Sequence, residues 1–85
     1  MAKLTDEQIK DLKWVKENLE LIQFEGDEED RYLMIPLPKG GLWDLQEETL
    51  TEILEDALAR GESDDIEEIE LIVSHYKKYD EEVGF

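Results

Sequence analysis

Apolar residues recur along this chain at three- and four-residue steps in three separate stretches, and each stretch predicts a helix. In the first, Ile9, Leu12, Val15, Leu19 and Ile22 keep to one face. Thr5 followed three residues later by Gln8 is a capping-box pattern, and Asp6 and Glu7 suit the positive end of a helix dipole. The spacing predicts a helix over 5–23. Trp14 and Leu21 fall off that stripe, seven positions apart on a second face. They are either an open face, the seam of a homodimer or a partner groove, or an inner face covered by Tyr32, Leu33 and Ile35 when the following segment folds back. The second reading is preferred, because an uncovered tryptophan face beside an uncovered apolar arm would aggregate.

The pattern then changes. Residues 25–30 form an acidic loop. Tyr32-Leu33-Met34-Ile35-Pro36-Leu37-Pro38 is an apolar run ended by two prolines, which reads as an extended arm or a short edge strand over 31–37. Lys39-Gly40-Gly41 is a turn, and Leu42, Trp43 and Leu45 make an apolar lead-in to the next helix.

This second helix begins near Asp44 or Thr49, each with a glutamate three residues on, at Glu47 and Glu52. Leu50, Ile53, Leu54, Ala57 and Leu58 fit the helical template, and Arg60 then Gly61 close it. Ser63 and Asp64 open a third helix, with Ile66, Ile69, Ile72, Val73 and Tyr76 facing inward and the pattern fading near Val83. The expected fold is mostly α: a small three-helix domain with an extended or short β segment between helix 1 and helix 2. Residues 1–85 make one domain.

Composition changes the picture in one respect. Twenty-five acidic side chains stand against nine basic ones, a formal net charge of −16. Solubility alone asks for roughly 2–8 charges on a small domain, and the excess opposes compaction. The charge is also segregated. Residues 1–24 carry four lysines and five acids, net −1; residues 25–85 carry five basic and twenty acidic groups, net −15. Such a surface repels nucleic acid and anionic lipid and attracts a basic protein. With no cysteine, no apolar leader and no apolar run near the ~20 residues of a membrane span, a soluble cytoplasmic protein is expected.

Catalytic ingredients are scarce. His75 is the single histidine, and its neighbour Ser74 points about 100° away on a helix, so the two are no nucleophile and base. A thiolate or zinc site lacks its ligands. The run 26–30 lacks the alternating ligands and central glycine of a calcium loop. Glycosidase-like carboxylate pairs have little room for a substrate cleft, and Gly40-Gly41 lacks the rest of a phosphate-binding loop. No enzyme activity, cofactor or metal is expected.

What the chain does carry is an acidic array. Residues 44–70 hold twelve acidic side chains and one basic one, Arg60. Glu52, Glu55 and Asp56 fall on the outer side of the second helix, and Asp64, Glu67 and Glu68 on that of the third. If the two helices are antiparallel neighbours, these carboxylates form rows on one surface. Leu71, four residues from both Glu67 and His75, is read as an outward apolar anchor within the row. These seven are the expected partner-binding residues.

A small, cysteine-free, strongly acidic domain of this kind resembles, in general character and without a shared motif, the DNA-mimic inhibitors of phages and mobile elements. Those proteins block restriction enzymes, CRISPR nucleases, repair glycosylases, nucleoid proteins or RNA polymerase by filling basic nucleic-acid channels. The resemblance implies an anti-restriction or anti-CRISPR type of inhibitor acting in a host cytoplasm, with a basic nucleic-acid-binding protein or nuclease as partner. The alternatives are an immunity protein or antitoxin that neutralises a basic toxin, and a housekeeping adaptor whose acidity serves solubility.

Overall fold

The computed structural model describes residues 2–83. Its elements run β1 (Ala2–Lys3), α1 (Asp6–Glu17), one 3-10 turn (Leu19–Leu21), β2 (Glu25–Asp27), β3 (Asp30–Pro36), β4 (Leu42–Gln46), α2 (Glu47–Arg60), β5 (Glu62–Ser63) and α3 (Ile66–Val83). The mostly α, three-helix expectation is therefore corrected. Three helices share the chain with five strands in two antiparallel sheets, an α+β fold.

The segment expected to be an arm or edge strand is the middle of the larger sheet. β3 pairs with β2 on one side and β4 on the other, Tyr32 standing opposite both Glu25 and Gln46. The expected acidic loop supplies β2, and the expected apolar lead-in is β4. Alternation explains both. Leu33, Ile35 and Leu45 are buried, whereas Asp44, Gln46 and Glu25 are exposed. Pro36 is the last paired residue of β3 and lies beyond the reach of β2, where a missing N–H is tolerated.

All three helices contribute to the core on the buried face of this sheet. Leu33, Ile35 and Leu45 share it with Leu12 and Val15 of α1, Leu50, Leu54 and Ala57 of α2, and Ile69, Ile72 and Tyr76 of α3. α1 packs against both other helices, while α2 and α3 meet at most marginally. Lys77 on α3 reaches Asp11 on α1 at 3.0 Å.

The capping box of α1 forms as expected. The Gln8 N–H donates to Thr5 Oγ1 at 3.1 Å, and the Thr5 N–H donates to Gln8 Oε1 at 2.8 Å. The helix nonetheless stops at Glu17 and does not reach 23. Asn18 ends it by donating both its backbone N–H and its Nδ2 to the Trp14 carbonyl, at 3.1 and 2.8 Å. Leu21 therefore sits in the 3-10 turn and shares no continuous helical face with Trp14. Both are half-buried against the core.

Neither Asp44 nor Thr49 starts α2, which leaves β4 directly with Gln46 at its N-cap and no side-chain cap bond. Gly61 ends it in the left-handed conformation, φ 68°, its N–H donating to the Ala57 carbonyl at 2.8 Å. α3 begins after Ser63 and Asp64, where the Glu68 N–H donates to Asp65 Oδ1 at 3.2 Å.

The β2–β3 hairpin depends on one glycine. Gly26 in β2 has φ 90°, and a Cβ there would run into the Asp30 carbonyl and the Tyr32 ring. Gly26→Ala should cost well over ~1 kcal/mol, since strain and collision add. Thermal unfolding and amide exchange of β2 measure this; an unchanged melting temperature would show that the hairpin relaxes freely.

Candidate acidic interaction surface

The β2–β3 hairpin turns through Glu28 and Glu29, with Asp27 directly opposite Asp30. Like charges facing each other across a ladder destabilise it, so this hairpin holds its carboxylates at a cost. One neighbour offsets part of that cost. Gln46 Nε2 donates to Asp30 Oδ1 at 2.9 Å. Arg31 donates to both Glu20 oxygens at 3.1 Å, meets Glu47 at 3.2 Å and lies over the Phe24 ring, 4.9 Å from its centre. It thereby fastens the 3-10 turn, β3 and the start of α2 to one another.

Because β4 runs straight into α2, the first turns of that helix stand beside the hairpin. Glu28, Glu29 and Asp30 on one side and Glu47, Glu48 and Glu52 on the other, with Arg31 between them, line an open concavity of about 380 Å³. Glu48, Glu52, Glu55 and Asp56 continue from it along one face of α2 at steps of four, three and one residues. They span about 12 Å at 1.5 Å per residue, in uneven steps of about 6, 4.5 and 1.5 Å. A single strand of DNA carries one phosphate per ~3.4 Å of axis.

The expected binding residues divide between two places. Glu52, Glu55 and Asp56 belong to this α2 surface, with Asp56 meeting Arg60 at 3.4 Å. Asp64 and Glu67 are exposed at the start of α3, a helix that meets α2 at most marginally. Glu68 is half-buried; its carboxyl is held above the usual range by desolvation first and the Asp65 carboxylate second. Leu71 is not an isolated outward leucine. It is half-buried against the core and shares with Glu67, Glu70, Leu37 and Pro38 the wall of a separate cleft of about 540 Å³.

Sequence reasoning missed Glu28, Glu29, Asp30, Glu47 and Glu48 as binding candidates. The clue to the first three is the density of acids in 25–30, which along the chain suggests no more than a cation loop. Among the described residues, no three acidic, histidine or cysteine side chains converge where a metal ion would sit. His75 is half-buried, and burial followed by Lys78 holds its imidazole below the ordinary range, so it is neutral near pH 7.

No protein-family model, curated protein or solved structure matches this chain. Among the described residues, no helix is long and apolar enough to cross a membrane.

Proposed function

We propose that this protein is a non-enzymatic inhibitor that occupies the basic nucleic-acid-binding surface of a partner protein, its carboxylates standing in for phosphates. The observation that supports this is the convergence of hairpin and α2 carboxylates around one concavity, continued by a stripe of carboxylates along α2. Negative charge fixed on a folded scaffold competes with DNA without the entropy loss of ordering a flexible acidic tail. The resemblance to phage-type DNA mimics points the same way, and the reading carries with it a cytoplasmic location, where such partners act.

The immobilised protein should retain a basic nucleic-acid-binding protein from a cell lysate at about 50 mM salt and lose it by about 500 mM, as the charges are screened. Duplex DNA added in competition should release the partner. A partner that keeps its DNA while bound here, or retention of DNA itself on the column, would sink the proposal.

A further inference from the structure

The helices cover one face of the β2-β3-β4 sheet and leave the other open. Period-two alternation assigns the two faces. Leu33, Ile35 and Leu45 point into the core at 1 to 2 % exposure. On the opposite face Tyr32 and Met34 of β3 are half-buried, and Leu42 of β4 is 57 % exposed, the one large hydrophobic residue so exposed among the described residues. Register places Glu25 beside Tyr32 and Asp44 beside Met34, while Asp30 lies two residues before Tyr32 on the same side. A small apolar centre with an aromatic ring is therefore edged by three exposed carboxylates.

We infer that this open sheet face binds an arginine-bearing segment of a basic protein. The inference rests on the proposed function and specifies the contact, since Asp30 and Gln46 belong both to this face and to the acidic concavity. Charge selects the occupant. A second copy of the chain would bring −16 against −16, and nucleic acid or an anionic membrane is repelled in the same way. Apolar surface next to carboxylates suits a side chain that is cationic, planar and weakly hydrated. A guanidinium stacks on the Tyr32 ring while pairing with carboxylates in its own plane, whereas an ammonium is a strongly hydrated point charge. The same chemistry already operates within the molecule, where Arg31 lies over Phe24 and pairs with Glu20 and Glu47.

Titration of the ¹⁵N-labelled protein with an octa-arginine peptide, and separately with octa-lysine, tests this. Octa-arginine should bind several-fold more tightly, with the largest amide shifts at Tyr32, Met34 and Asp44. Met34→Ala and Asp44→Lys should each weaken octa-arginine by up to about tenfold and erase its advantage over octa-lysine. Melting temperatures of both variants verify that the fold persists, and Leu42→Ser, a change at an exposed position, repeats the test without touching β3. Equal affinity for the two peptides overturns the inference, as do shifts confined to α2 and the 28–29 turn; either result leaves the proposed inhibitor standing. Binding of neither peptide at low salt overturns both.

Discussion

Reversing Glu48 and Glu52 together to lysine should slow association with a basic partner by about tenfold or more at low salt. Both side chains line the concavity between the hairpin and α2 and are exposed. Acids outnumber the one cation of its wall, Arg31, by six to one; a cleft dominated by one sign focuses the field, and steering of this kind raises association rates by about 10- to 1,000-fold. The double change adds four units of positive charge where that field is strongest, so the on-rate carries most of the effect. Stability should change little. Lysine in the first turn of a helix opposes the dipole by only ~0.3–1 kcal/mol. The control is Glu81→Lys with Glu82→Lys, the same change in net charge at exposed positions toward the end of α3. Stopped-flow association with a captured partner separates the two pairs. Equal slowing by both would show that net charge alone governs the encounter and that the concavity has no special part.

The second large effect concerns Tyr76. It is fully buried on α3, and its hydroxyl donates to the Leu19 carbonyl at 3.0 Å, holding the 3-10 turn against the helix. Tyr76→Ala should remove about 3–5 kcal/mol, as for other buried aromatics. That is close to the whole margin of ~3–5 kcal/mol expected of a domain this small, so the variant should be largely unfolded at 37 °C. Tyr76→Phe keeps the ring and removes the hydrogen bond to the Leu19 carbonyl, at a cost of about 1 kcal/mol. It has a second signature at high pH. Burial, then Glu20 and then Glu47, hold the Tyr76 phenol protonated well above its ordinary range. The folded state therefore keeps a proton that the unfolded chain releases near pH 10, so stability is full below about pH 10 and falls as pH rises above it. Wild type should lose this contribution in alkali, and the phenylalanine variant should lack it. Denaturant titrations of both proteins between pH 8 and about 11 read the difference; parallel curves would show that Tyr76 does not carry the alkaline loss. Because Leu19 precedes Glu20, which meets Arg31, loosening this turn also slackens the clasp behind the acidic concavity.

The elements differ in how far the chain's own pattern reveals them. α2 and α3 carry runs long enough for helical periodicity to accumulate, and their buried residues Leu50, Leu54, Ile69 and Ile72 are the ones the pattern selects. β2 spans three residues, Glu-Gly-Asp, all poor strand formers, and exists because β3 offers it a ladder. β4 spans five residues, too few for alternation to be distinguished from the start of a helix. The end of α1 turns on hydrogen bonds from one asparagine to the Trp14 carbonyl, a local competition that hydrophobic spacing does not register.

The acidity of the surface, its concentration after residue 24, the Thr5 cap of α1 and the Gly61 stop of α2 are all legible in the amino-acid order. These are sums or short-range properties, set by composition and by neighbours a few positions apart. Which carboxylates stand together depends instead on long-range pairing. Residues 28–30 and 47–52 are distant along the chain and meet because β3 and β4 pair in register and β4 passes directly into α2. The same arrangement parts Glu52 from Glu67, since α2 and α3 each pack on α1 and not closely on one another. Burial of Leu33, Ile35 and Leu45 fixes the strand register, for a shift of one residue would turn all three to water. That register carries the carboxylates into place.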